Sequence, residues 1–171
     1  MNRRSVLATQ LFLAIVAFPA FAQNTLRPTP EIVRGHFLSI NRKILDMAKD
    51  FPEDKYDFRL RPEMRSFREI IVHIAGGNIY AAKAGRGENV GWDNNLELDP
   101  RNYKSKADVV AMFEKTVNDA NAALQVLSDS SFVKTVDPWV DVAEHSAEHY
   151  GLLVAYYRAN GIVPPASRPK K

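Results

Sequence analysis

Apolar residues recur at intervals of three and four through most of the chain, and this spacing predicts helices. The first segment, 29–51, opens with Thr29 as an N-cap, followed by a proline at the first helical position. The second segment, 66–85, opens with Ser66 and Glu69, which have the spacing of a capping box. No alternation typical of β-strands interrupts these segments.

Two further helices are predicted in the second half of the chain. The third, 105–127, opens with a capping box formed by Ser105 and Asp108. The fourth begins with Asp137 as its N-cap, with a proline at its first position, and runs to about Asn160, where a glycine follows as a stop.

The connection between the second and third helices, residues 85–104, is long for a compact domain. It is long enough to carry the chain back along a whole helix, so these two helices need not be antiparallel neighbours. The pattern therefore predicts an all-α fold, a four-helix bundle with a long crossover between helices 2 and 3.

The N-terminal segment, residues 1–22, has the pattern of a secretory signal peptide. Arg3 and Arg4 precede an apolar run that ends in the small-residue pattern Ala20-Phe21-Ala22. We therefore expect cleavage after Ala22, export to the periplasm and a single mature domain, residues 23–171. An uncleaved anchor is the alternative, but the apolar run is short, so no stable membrane insertion is expected after signal removal.

Charge and cysteine content exclude several classes of function. Removing Arg3 and Arg4 lowers the net charge from +3 to +1, and no block of five basic residues occurs, so nucleic-acid binding is not expected. The chain has no cysteine, which excludes disulfides, thiolate metal sites and cysteine nucleophiles. Any metal ion must be bound by histidine, aspartate or glutamate.

Two of the four histidines, His145 and His149, are four residues apart and stack on one face of the predicted fourth helix. The same face carries Val142, Leu152 and Tyr156, so it is expected to point inward. Two neutral imidazoles buried together need partners for both ring nitrogens. A metal ion would supply a partner for one nitrogen of each.

His73 is the third candidate ligand, because it lies on an inward stripe of the second helix. Gly76 and Gly77 follow it, and such small residues allow another helix or a ligand to approach closely. Three imidazoles with one open position are typical of a catalytic metal site. Spacing alone leaves open the alternative of buried histidines satisfied by hydrogen bonds. His36 is not a candidate ligand, since we expect it to make a surface or interhelix hydrogen bond.

Two acids near the histidine pair are candidate catalytic residues. Asp141 is one turn before His145 and is placed to accept the outer N–H of an imidazole. Glu148 is a candidate general base or a solvated surface acid. His145, Glu148 and His149 also match the H-x-x-E-H pattern of inverted zinc peptidases. Those enzymes need an acidic ligand further downstream, and no Asp or Glu follows His149, which argues against a peptidase.

Three segments resemble the DinB/YfiT-like superfamily, and together they support a resemblance over essentially the whole mature chain. They are RSFREIIVHIAGGNIY (65–80), AEHSAEHYGLLVAYYRANGIVPPAS (143–167) and DFPEDKYDFRLRPEMRSF (50–67). The second of these is most similar to the last helix and tail of exported bacterial members.

The resemblance implies a four-helix bundle with a long crossover, in which His73, His145 and His149 bind one divalent ion, commonly zinc or nickel. Family members with known activity include thiol-dependent transferases and isomerases, and many members have no assigned reaction. The resemblance also favours a homodimer. We therefore expect a metal-dependent hydrolase or thiol-type transferase of the cell envelope that acts on a small molecule. The alternative is a helical bundle that binds a metal ion or ligand without turnover. Export argues against the transferase, because low-molecular-weight thiols are scarce outside the cytoplasm.

Overall fold

The computed structural model describes residues 29–91 and 96–169, which form five α-helices and no β-strand. The helices are α1 (Pro30–Asp50), α2 (Phe67–Gly85), α3 (Lys106–Gln125), α4 (Asp129–Phe132) and α5 (Val136–Ala159), with single turns of 3₁₀ helix at Glu53–Lys55, Pro100–Asn102 and Pro165–Ser167. The all-α prediction is confirmed. Within the described residues, no helix combines the length and apolar character needed to cross a membrane. The predicted signal peptide, residues 1–22, lies outside the described residues.

Capping side chains begin three of the long helices where the sequence predicts them. Thr29 Oγ1 accepts a hydrogen bond from a backbone N–H in the first turn of α1 at 3.3 Å. The side chains of Ser66 and Glu69 each accept a hydrogen bond from the other's backbone N–H at the start of α2. Ser105 and Asp108 make the same reciprocal pair at the start of α3. These contacts satisfy N–H groups that have no partner inside the helix.

The last long helix, α5, begins earlier than the sequence predicts. The pattern predicts Asp137 as the N-cap, but the N-cap is Thr135, whose side chain makes no capping hydrogen bond, and Asp137 lies in the first turn. Pro138 fits there because N–H groups of the first turn have no helical partner. The short helix α4 accounts for the early start of α5. It buries Phe132, and only residues 133–135 separate it from α5. The predicted stop is confirmed, since Gly161 follows α5 with φ at +69°.

Contacts at both ends show that α2 and α5 are antiparallel. Phe67, at the start of α2, contacts the ring of Tyr156 near the end of α5, with 6.4 Å between ring centroids. Gly85, at the end of α2, lies directly against the indole of Trp139 near the start of α5. These two long helices carry the candidate histidines.

The first helix runs in the same direction as α5. Phe37, in the first half of α1, contacts Trp139 with 6.1 Å between ring centroids. Phe51, immediately after α1, contacts Tyr157 near the end of α5 at 4.9 Å. Phe51 also stacks on Phe67 at 4.0 Å, so buried aromatic rings hold together the end of α1, the start of α2 and the end of α5.

The chain between α2 and α3 returns along the bundle. The guanidinium of Arg68, near the start of α2, donates hydrogen bonds to the carbonyl oxygens of Tyr103 and Lys104, just before α3, at 2.6 Å and 2.5 Å. The helices α2 and α3 therefore begin at the same end of the bundle. Because the 19 residues of α2 span about 28 Å, residues 86–105 connect opposite ends.

Candidate metal centre

Three histidines meet where α2 packs on α5. His145 and His149 lie one turn apart on α5, and His73 faces them from α2. The Nε2 atoms of His145 and His73 are 3.0 Å apart. One ring nitrogen from each of the three residues lies within 4.8 Å of the other two, and the ring centroids are 4.5 to 4.9 Å apart. The three predicted residues form one cluster.

Burial keeps these imidazoles neutral at physiological pH. All three are partly buried. Burial, followed by the charges of neighbouring histidines and of Arg65, lowers the pKa of His145 to about 3 and that of His149 to about 4. Burial and then Arg65 also lower the pKa of His73, although Glu97 opposes them. Each neutral imidazole therefore has one unprotonated ring nitrogen, which is the form that binds a metal ion.

Glu97 contacts the cluster, although the sequence does not single it out. Its Oε1 lies 3.2 Å from Nδ1 of His73 and 3.0 Å from a guanidinium nitrogen of Arg65. Glu97 lies in the connection between α2 and α3, 24 positions from His73. An acid in a long connection carries no periodic signal, so only the folded chain identifies this contact.

The same connection lies against α2 beside His73. A Cβ atom placed on Gly76 would be 3.1 Å from the carbonyl oxygen of Leu96 and 3.4 Å from Cα of Glu97. Glycine at this position therefore leaves room for the backbone of the connection. Close approach is predicted for Gly76, but the approaching segment is a loop of the same chain and not another helix or a ligand.

The two predicted catalytic acids occupy exposed positions on α5. Asp141 and Glu148 are both exposed. Asp141 lies close enough to Tyr80 that, after burial, its charge is the next largest cause raising the pKa of that phenol. The catalytic roles of Asp141 and Glu148 stay predictions. His36 is exposed on α1 and is not part of the cluster, as expected.

The donor set suits a divalent transition metal ion. Two imidazole nitrogens bound to one zinc ion at about 2.0–2.1 Å are roughly 3.3 Å apart in a tetrahedral site. The corresponding distance between Nε2 of His73 and Nε2 of His145 is 3.0 Å. Imidazoles suit zinc, nickel, copper and iron, and three of them leave a coordination position for water or substrate. The same 3.0 Å also permits a direct hydrogen bond between the two rings in the metal-free protein.

A family model described as the DinB superfamily matches residues 38–157. The match runs from within α1 to the last turn of α5, and it includes His73, His145 and His149. No curated protein matches the chain at a significant level. Since the family match covers well over half of the chain and the described residues are all-helical, the chain belongs to the DinB superfamily.

Proposed function

We propose that the protein is a metal-dependent enzyme that binds one divalent ion, zinc or nickel, through His73, His145 and His149. The observation that carries this proposal is that one ring nitrogen from each of three neutral imidazoles lies within 4.8 Å of the other two. Ring nitrogens of neutral imidazoles carry partial negative charge, and such nitrogens that face each other in a partly buried site repel one another. A divalent ion bound among them removes this repulsion, and the remaining coordination position accepts a small molecule.

Two reaction classes follow from this donor set. When bound, such an ion lowers the pKa of a coordinated water or thiol and polarises a substrate oxygen. Hydrolysis also needs a nearby general base, and we propose Glu148 or Asp141 for this role. Transfer to a thiol would not need that base, because an ion bound by the three histidines would lower the pKa of the thiol so that its proton passes to solvent.

The exposed positions of Asp141 and Glu148 favour a second candidate function, a metal- or ligand-binding bundle without turnover. The acid that does contact the cluster, Glu97, is already bound to Arg65 and His73. A panel of esters, amides and thiol-conjugation substrates distinguishes the candidates. Turnover that is lost in Glu148→Gln or Asp141→Asn supports hydrolysis with that base, and no turnover on the whole panel supports the second function.

We propose that the protein acts in the cell envelope after cleavage behind Ala22. The support is the order of basic residues, apolar run and small residues at the N-terminus. N-terminal sequencing of protein from a periplasmic fraction should begin at Gln23. Recovery of the intact N-terminus in the cytoplasmic or membrane fraction would contradict the proposal.

The proposed metal site predicts about one equivalent of divalent metal in protein purified without a chelator or a metal-affinity tag. His145→Ala and His149→Ala should lose the metal, because each removes one ligand. His36→Ala is the matched control, since His36 is exposed and outside the cluster, and this variant should keep the metal. Elemental analysis of the four proteins measures the result, and metal retained by both cluster variants would refute the ligand assignment.

A further inference from the structure

Glu97 is the one carboxylate that the described hydrogen bonds and ion pairs place on a histidine of the cluster. Its Oε1 atom faces Nδ1 of His73 at 3.2 Å, whereas Nε2 of the same ring faces His145 at 3.0 Å. The two nitrogens of His73 therefore have different partners. One points outward to the connection between α2 and α3, and the other points into the cluster.

The chemistry of these partners determines which ring nitrogen of His73 carries the proton. An ionised carboxylate can only accept a hydrogen bond, so Nδ1 of His73 must be the donor to Glu97. A neutral imidazole has a single N–H, so Nε2 of His73 then presents its lone pair to the cluster. The other tautomer would place a proton where a metal ion binds.

Two independent contacts hold Glu97 in place. Its carboxylate accepts a hydrogen bond from the guanidinium of Arg65 at 3.0 Å, and the carbonyl oxygen of Arg65 in turn accepts one from the hydroxyl of Tyr156. Its backbone lies against α2 at Gly76, where a side chain would meet Leu96. The loop before α2, the end of α5 and the surface of α2 thus all contribute to the position of one carboxylate.

We propose that Glu97 is a positioning residue for the metal site, and that it selects the tautomer of His73 that binds the ion. The contact of the connection with Gly76 is part of this arrangement, because it brings Glu97 to the imidazole ring of His73. The proposal rests on the proposed metal site, and it adds that metal affinity depends on a segment distant in sequence from every ligand. Outer-shell carboxylates of this kind typically contribute 10- to 100-fold to metal affinity.

The first experiment changes the carboxylate. In Glu97→Ala, the zinc dissociation constant, measured by competition with a chromophoric chelator, should rise about 10- to 100-fold. Glu97→Gln should lose less, because its amide oxygen still accepts the hydrogen bond from His73. Glu88→Ala is the matched control: Glu88 lies in the same connection and pairs with Arg86 at 2.7 Å, and its loss should leave zinc affinity unchanged.

A second readout does not involve the metal. Two-bond ¹H–¹⁵N correlation spectra of the metal-free protein near neutral pH report which ring nitrogen is protonated. His73 should be protonated at Nδ1 in the wild type and in Glu97→Gln, and should show a mixture of tautomers in Glu97→Ala. A residue that only stabilises the fold would lower the melting temperature without changing this signal.

A third experiment moves the connection between α2 and α3 without changing any charged residue. Gly76→Ala introduces a Cβ 3.1 Å from the carbonyl oxygen of Leu96 and 3.4 Å from Cα of Glu97, so the connection must shift by a few tenths of an ångström and zinc affinity should fall. Gly151→Ala is its control, because Gly151 is two positions from His149 on α5 and a Cβ there meets no atom within 4 Å. That variant should bind zinc like the wild type.

The outcomes separate this inference from the proposed function. If the wild type binds zinc and Glu97→Ala binds it equally well, the inference is wrong and the metal site stands. An unchanged Nδ1 signal in Glu97→Ala would also overturn it. If the wild type binds neither zinc nor nickel, the proposed metal site is wrong, and so is the predicted effect of Glu97 on metal affinity. The spectra still decide whether Glu97 selects the tautomer of His73.

Discussion

The imidazoles of His145 and His149 lose much of their contact with water between α2 and α5, whereas His36 stays exposed on α1. Removing an imidazole from water disfavours its charged form, and a neighbouring cation such as Arg65 disfavours it further. Position in the fold therefore gives chemically identical side chains different pKa values, and the cluster is neutral at neutral pH, the state compatible with metal binding.

The lowered pKa values of the cluster predict acid sensitivity of the metal-free protein. The pKa values of His145 and His149, about 3 and about 4 in the folded chain, lie below the ordinary value of 6.5. The unfolded chain therefore binds more protons in this interval, and the free energy of unfolding should decrease as the pH falls below about 6.5. Urea unfolding at roughly pH 7.5, 6.5 and 5.5 measures this decrease.

A variant distinguishes the histidines from the acids in that experiment. Paired carboxylates such as Asp50, whose pKa is lowered by its hydrogen bond to Arg168, lose their contribution to stability only below about pH 5. The double variant His145→Gln/His149→Gln should thus lose much less stability than the wild type between neutral pH and about pH 5.5. An equal loss in both proteins would show that other groups cause the pH dependence.

At the level of helices, small residues decide how closely two elements approach. The end of α2 can pack on α5 because Gly85 has no side chain, and a Cβ there would be 2.4 Å from the indole ring of Trp139. Trp139 is fully buried and also contacts Phe37 of α1. The contact therefore joins three helices at the end of the bundle opposite the aromatic cluster around Phe67.

Alanine substitutions at two helical glycines should have opposite effects on stability. Gly85→Ala should lower the free energy of unfolding by about 1–3 kcal/mol, because the indole of Trp139 must move. Gly151→Ala, in the interior of α5 with open space around it, should raise it by about 0.5–1 kcal/mol through helix propensity alone. Urea unfolding of both variants tests the contrast, and stabilisation by both would mean that the contact at Gly85 is not tight.

Over the whole molecule, the proposed metal ion would join α2 to α5, two helices separated by 50 residues of chain, 86–135. The aromatic rings of Phe51, Phe67 and Tyr157 already join the start of α2 to the end of α5. An ion that binds only the folded arrangement stabilises all of it, because the three ligands come together only when α2 and α5 are packed.

Zinc should therefore raise the melting temperature of the metal-free protein. At a free concentration about 100 times the dissociation constant, binding adds about 2.7 kcal/mol. For a domain of this size that corresponds to roughly 5–10 °C. Differential scanning calorimetry measures the shift, and His145→Ala should show almost none. Equal stabilisation of both proteins would indicate binding elsewhere on the surface.

The residues alone predicted features that depend on neighbours within one helical turn. Capping boxes join residues three apart, so Ser66 with Glu69 and Ser105 with Asp108 already identified two helix starts. One turn is about four residues, so His145 and His149 were certain to share a face once α5 was a helix. Resemblance to known DinB-like segments supplied the family, which the family match confirms.

Only the tertiary structure decided which distant residues meet. The inward stripe and the family resemblance predicted His73 as the third residue of the site, and the structure shows how it reaches the pair on α5: Phe67 and Gly85 set the register of two antiparallel helices. Glu97 reaches His73 because the connection returns along α2 and lies on Gly76. Caps and periodicity record contacts along one helix, whereas these contacts depend on packing between elements, and no local pattern in the sequence encodes that packing.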